Sequence, residues 1–210
     1  MKSHLKKLQA RPLSHSSLSL WEDWKDKNHA AWGAYYLEGI KREVSELEQA
    51  RMDYGIEIHE KIARDPKFLP KATRYDSFED EINVEFGHIL LTGKLDTLRA
   101  DLSAFCDYKS TSSRTFWTQA VCDNHQQFTF YFLLLWLKFD IEPSKVDCKI
   151  VIIYVDENET GNFKVVRKLS KNPVKIFQTK RTKIQLLDFL VNLKRCRKEM
   201  EDFALAYKTS

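Results

Sequence analysis

Three side chains within GKLDTLRADLSAFCDYKSTS, residues 93–112, could do chemistry together: Asp96, Asp107 and Lys109. Two carboxylates leaning onto one divalent cation, with an ammonium beside them, can acidify a water and aim it at a phosphate ester. Left unpaired on a half-buried sheet, the same carboxylates would cost folding free energy. Whether they meet depends on the strands that carry them. Residues 89–99 are rich in strand formers, Ala100 and Asp101 can turn, and 102–107 runs back. With the turn centred there, Arg99 faces Leu102 and Asp96 faces Phe105. Asp107 is then a diagonal neighbour of Asp96 on the same face, roughly 7–8 Å away between α-carbons, and Lys109 follows on that face. A one-residue change in the turn would put the carboxylates on opposite faces.

A DxK triplet alone carries little weight, because the chain holds four: Asp23-Trp24-Lys25, Asp65-Pro66-Lys67, Asp107-Tyr108-Lys109 and Asp147-Cys148-Lys149. The first falls in a helical stretch, where positions i and i+2 diverge, and the second on a proline break. The fourth begins a strand but has neither an acidic partner nor a following helix. Only Asp107–Lys109 has a strand behind it, an aspartate across a hairpin and a helix after it.

The remaining elements follow from periodicity and caps. LSHSSLSLWEDWKDKNHAAWGAYYLEGI predicts a helix capped at Ser16 or Ser17 and carrying Trp21, Trp24 and Trp32. A second helix is expected over 42–64, with Val44, Leu47, Tyr54, Ile58 and Ile62 near helical spacing, ended by Asp65-Pro66. A strand over 82–86 leads into the hairpin. The polar run STSSRT caps a long apolar helix over 116–139. Two strands joined by Asn-Glu-Thr-Gly-Asn follow, KNP breaks the chain, and 182–207 forms a last amphipathic helix. Helix, three strands, helix, two strands, helix is a mixed α/β layer fold.

With 210 residues, 43% hydrophobic and 30% charged, the chain can bury a proper core, which argues against disorder. No run reaches the length of a membrane span, and the N-terminus lacks the apolar core of a secretory signal, so the expected location is cytoplasmic. Cys106, Cys122, Cys148 and Cys196 form no CxxC pair, and reduced buried thiols are expected. The net charge of +4 is unevenly spread. Between Lys164 and Lys198 there are twelve Lys or Arg against one acid, Asp188. Such a skew suits a phosphate-binding surface, or else a solvated basic face without a ligand.

GKLD followed by CDYKST and then a helix containing Gln127-Phe-Thr-Phe-Tyr131 resembles the RecB-type branch of the PD-(D/E)xK nucleases. Gly55-Ile-Glu-Ile-His59 looks like that branch's GxxxH helix, and LSHSSL followed by an aromatic helix like its usual opening. The resemblance covers about 13–131, beyond which only the general layout matches. It implies a restriction-endonuclease-like core with a mixed central sheet flanked by helices, and a Mg²⁺- or Mn²⁺-dependent deoxyribonuclease. One nuclease domain is expected over 1–210: an N-terminal helical opening at 1–41, the catalytic core at 42–170 and a basic C-terminal helix at 171–210. Many relatives hold an iron–sulfur cluster on one early and three late cysteines. This chain has no early cysteine, and a cluster-free nuclease is expected.

Within this frame Asp96 and Asp107 are assigned as metal ligands. The resemblance adds the backbone carbonyl of Tyr108 and the imidazole of His59. Gly55 shares a helix face with His59, and its missing side chain is expected to let that helix approach the sheet. Lys109 orients and polarises the attacking water. Gln127 and Tyr131, at i and i+4, hold a water and a phosphate oxygen. Arg114 would touch the phosphate backbone, Trp117 would either stack on an unpaired base or belong to the core, and Lys180, Arg181 and Lys183 would add phosphate contacts. The expected substrate is DNA, as single strands or ends, in recombination, repair or replication, beside unidentified proteins of those processes. Competing readings are an endonuclease of the same fold acting on duplex or branched DNA, and a non-catalytic DNA-binding module. Binding alone gains nothing from acids clustered beside phosphate.

Overall fold

The computed structural model describes residues 2–25, 29–40, 43–65, 67, 69–159 and 165–207. Among these, five strands form one sheet in the order β1 (Ser77–Phe86), β2 (Ile89–Leu98), β3 (Ala104–Thr111), β4 (Asp147–Glu159), β5 (Val165–Thr179). Neighbours run antiparallel except β3 and β4, which are parallel. A parallel pair needs a crossover connection, and two helices supply it: α5 (Gln119–Asn124) and α6 (Gln126–Phe139). Before the sheet come α1 (Lys2–Ala10), α2 (His15–Lys25), α3 (His29–Gly33) and α4 (Glu46–Arg64). After it comes α7 (Lys183–Ala206).

Residues Phe128 to Leu135 of α6 are all buried, because α6 packs against both the sheet and α7. An apolar run on every side of a helix requires such double cover. On the sheet's other face Ile58 and Ile62 of α4 pack with Leu69, Cys106, Tyr108, Val151 and Ile153. Strands β3 and β4 are therefore covered on both faces, and Ala104–Tyr108 and Ile150–Val155 are buried without alternation. Among the described residues no helix is long and apolar enough to cross a membrane.

The mixed sheet with flanking helices agrees with the expected fold class, and several boundaries differ. α1 was not anticipated. α2 starts one turn earlier than expected because Ser14 and Ser17 bond reciprocally: each hydroxyl accepts the other's backbone N–H, at 3.3 and 2.9 Å. The second helix begins at Glu46 rather than 42, fixed by a capping box between Ser45 and Glu48. The long apolar helix is divided at His125, where an extended backbone separates α5 from α6. KNP does not break the chain. β5 continues through it, and the β4–β5 register jumps from Ile153↔Val174 to Val155↔Leu169, so Pro173 sits in a bulge that needs no N–H from it. Thr182 caps α7 by a second capping box with Gln185. The Arg42 end of one expected helix, Pro66 and the centre of the Asn-Glu-Thr-Gly-Asn turn lie outside the described residues.

Candidate active site

Strands β2 and β3 pair only as Thr97↔Cys106 and Leu98↔Phe105. The connecting turn is closed by Arg99 N–H donating to Ala104 O at 3.0 Å and Leu102 N–H donating to Arg99 O at 2.9 Å, with Leu102 left-handed at φ 59°. This register differs by two residues from the expected one. Asp96 therefore stands directly across from Asp107 rather than diagonally, and an even shift keeps them together.

Strict alternation is not what brings them together. Leu91, Leu95 and Leu98 all belong to the core cluster on the α6 side, so the alternation of β2 breaks between Leu95 and Leu98. At that break the carboxylate of Asp96 turns toward β3, and its Oδ2 accepts the backbone N–H of Tyr108 at 2.6 Å. The β1–β2 ladder is interrupted at the same place: Phe78↔Thr97 and Asp80↔Leu95 are paired, and Glu79 between them is left-handed at φ 59°. Left-handed backbone is costly for a residue other than glycine and accumulates at functional sites. Glu79 was not singled out in the sequence, because no residue type or spacing marks such a conformation.

Asp107 is only 2% exposed. Lys109 Nζ lies 2.8 Å from its Oδ2, which has no well-directed hydrogen bond, and Gln127 Nε2 lies 3.5 Å from its Oδ1. Gln127 also donates to the hydroxyl of Tyr131 at 2.7 Å. Burial, and then the charge of Asp107, push Asp96 up to about 7. Burial alone would lower Lys109, but the carboxylates of Asp107 and Asp96 outweigh it and hold the ammonium above its usual range. Lys109 is thus a cation at neutral pH. His59 Nδ1 stands 3.6 Å from Asp96 Oδ1, and burial lowers the imidazole below its usual value, favouring the neutral ring.

These donors suit a hard divalent cation: two adjacent carboxylates, one of them costly to ionise without a cation, and a neutral imidazole. Among the described residues no three His, Cys, Asp or Glu side chains close around one point by themselves, so an ion held here would keep several of its waters.

One expected contact takes another form, and a close approach is found under α6 instead. An added Cβ at Gly55 would lie 3.6 Å from Ser110 Oγ, an ordinary contact, so close approach of α4 does not depend on that glycine. Gly93 is the position where it does: a Cβ there would stand 2.5 Å from Leu134 Cδ1 and 3.2 Å from Tyr131 Cε1. The missing side chain of β2 lets α6 settle, and with it Gln127 and Tyr131.

The outlying residues divide. Arg114 donates to Ser170 Oγ at 2.7 Å and covers the ring of Tyr154, on an exposed segment after β3. Trp117 is a correction. It is buried against His125 and Phe128, so it belongs to the core rather than to a stacking surface. Arg181 is a second correction. It is 1% exposed and donates to Thr129, Thr179, Lys180 O, Cys122 O and His125 O, which fastens α5 and α6 to the end of β5. A run of basic residues in sequence gave no sign that its middle member turns inward. Lys180 pairs with Asp147 at 3.1 Å, and Lys183 is exposed beside Trp136. Asp147 lies five residues along β4 from Ile152, the partner of Lys109, roughly 16 Å at strand rise. In the fourth DxK triplet Lys149 pairs with Cys106, next to Asp107, but it lies on the α4 face of the sheet, its Nζ donating to Ala72 O at 2.6 Å.

The sequence also passed over His15. It lines a cavity of about 260 Å³ with Ser14, Lys94, Gln127 and Tyr131. Burial, then the neighbouring His125, push it down to about 4, so it is neutral. Its signal was its place inside the LSHSS opening.

One buried and one partly buried carboxylate, a charged lysine two residues after the first and a Gln–Tyr pair on the crossover helix thus meet on a mixed five-stranded sheet. The sequence pattern of the PD-(D/E)XK nuclease superfamily matches residues 12–203, and the chain belongs to that superfamily. No curated protein matches the sequence. Among solved structures, an exonuclease described as putative from Eubacterium rectale superposes with a TM-score of 0.54 at 13% identity, over 95% of this chain and 85% of that one. A phage-related exonuclease from Haemophilus somnus 129PT gives 0.51 at 13%, over 97% and 93%. The alkaline exonuclease LHK-Exo of Laribacter hongkongensis in complex with dAMP gives 0.50 at 13%, over 98% and 94%. At such identities these likenesses establish the fold.

Proposed function

We propose that the protein is a Mg²⁺- or Mn²⁺-dependent deoxyribonuclease, an exonuclease acting on single-stranded DNA or DNA ends in recombination, repair or replication. The observation that carries this reading is the pair Asp96, partly buried, and Asp107, buried, set across from each other with Lys109 beside them. Asp96, Asp107 and His59 would hold the ion, joined by the backbone carbonyl of Tyr108. In an extended strand a residue's N–H and C=O point to the same side. The Tyr108 N–H is bonded to Asp96, so its carbonyl faces Asp96 too. When bound, the ion would acidify water and relieve charge on the phosphate.

The chain's own residues do the rest. Lys109, being charged, orients the attacking water and favours its hydroxide form rather than removing a proton itself. The amide of Gln127, steadied by Tyr131, holds a water or a phosphate oxygen. Arg114, beside Tyr154 at the end of β4 that pairs with the C-terminal end of β3, is a candidate for a phosphate contact. Lys180, paired with Asp147 at the opposite end of β4, and Lys183 beside Trp136 would meet only a strand that runs on across the sheet. The test is cleavage of end-labelled single- and double-stranded DNA and RNA, linear and circular, with Mg²⁺ or Mn²⁺. Degraded linear strands beside stable circles support an exonuclease. Cut circles would replace it by an endonuclease, and full activity in excess EDTA would remove the metal.

A further inference from the structure

A cavity of about 560 Å³ opens beside His59 between α4 and the edge strand β1, lined by Met52, Gly55, Ile56, His59, Glu60 and Glu79. Met52 and Ile56 are 56% and 59% exposed, an uncommon state for two large apolar side chains one helical turn apart, and they continue the face that carries His59. The rim is acidic. Glu60 pairs with Arg64 and Glu79 with Lys94, each through Oε2, which leaves Oε1 of both able to accept hydrogen bonds.

We propose that this cavity is a pocket for an unpaired nucleobase, the one attached to the phosphodiester at the Asp96–Asp107 site. The inference rests on the nuclease reading and specifies its substrate. An apolar floor beside a phosphate-handling site fits the flat face of a base, since thioether and alkyl groups pack well on aromatic rings. The rim carboxylates, their charge offset by Arg64 and Lys94, keep oxygens that accept from exocyclic amines, so guanine, cytosine and adenine are favoured over thymine. A base inside a duplex is stacked and paired and cannot enter. The pocket therefore selects single strands or frayed ends.

The experiment uses single-stranded oligonucleotides carrying 2-aminopurine at terminal and penultimate positions of either end, with the full chain in Ca²⁺, where binding is read without cleavage. Occupancy predicts a change in 2-aminopurine fluorescence on binding. Met52→Ala and Ile56→Ala should weaken affinity two- to tenfold and abolish that change while leaving the melting temperature in place. Glu79→Gln should reduce the preference of competitor strands ending in dG or dC over dT. Fluorescence and affinity that are unchanged in both apolar variants would overturn the pocket. So would concentration-dependent dimerisation lost in Ile56→Ala, which would assign the patch to a second copy of this chain. Cleavage in Mg²⁺ or Mn²⁺ reports on the nuclease reading separately: a protein that responds to the probe but cuts nothing keeps the pocket and loses the nuclease.

Discussion

Oδ2 of Asp96 accepts the backbone N–H of Tyr108 at 2.6 Å, at the point where the pairing of β2 with β3 ends. A side chain there replaces a ladder carbonyl. The two strands part here and do not pair again along the rest of β3, a carboxylate enters the gap, and Asp107 lies opposite it.

From that relationship, Asp107→Asn removes a charge at constant size and Lys109→Ala removes the group that aims the water. Each should lower turnover by about 10²-fold or more, with folding and DNA binding largely retained. Asp147→Asn and Lys149→Ala alter a triplet whose acid lies toward the far end of β4 and whose lysine faces α4, and should stay within a few-fold. Steady-state kinetics on one labelled strand compares all four, and equal losses at the two triplets would mean the site lies elsewhere.

Stability should depend on pH through Asp96. Its folded value of about 7 lies above the ordinary carboxylate range near 4. The folded state thus binds the proton more tightly, and the associated stability is complete below pH 4 and lost as pH rises to about 7. Metal-free protein should melt lower at pH 8 than at pH 5 for this reason, and Asp96→Asn should flatten that dependence. Added Mg²⁺ should raise the melting temperature more at pH 8, where the carboxylates are ionised. Equal gains at both pH values would contradict the assignment of Asp96 as a ligand.

The two glycines should behave oppositely. Gly93→Ala forces a methyl group into Leu134 and Tyr131 and should cost about 1–3 kcal/mol, measured by chemical denaturation. Gly55→Ala meets only an ordinary contact inside a helix and should be neutral or stabilising by up to about 1 kcal/mol.

Arg181→Ala should destabilise by about 3–5 kcal/mol, because it removes a buried guanidinium and the five hydrogen bonds by which it ties α5, α6 and the end of β5 together. Lys183→Ala should leave the melting temperature within a degree or two and reduce the salt dependence of DNA binding by roughly one counterion. A stable Arg181→Ala protein with a reduced salt slope would return that arginine to the surface.

The sequence by itself determined the order of the strands and of most helices, the hairpin that brings Asp96 and Asp107 together, and the features that set Asp107-Tyr108-Lys109 apart from three other triplets; His59, Gln127 and Tyr131 came in through the resemblance to the nuclease family. The first are local signals: strand formers around a turn and a helix after the triplet. Tertiary structure decided what no period encodes. The Asp96–Asp107 register rests on how many residues the turn takes, and the turn of the Asp96 carboxylate on a break in alternation shared with a left-handed Glu79. Which glycine permits close packing depends on the helix that reaches it, Gly93 under α6 and not Gly55 on α4. Whether a basic residue faces water depends on the carbonyls that other segments bring to it, which is why Arg181 lies inside while Lys180 and Lys183 do not.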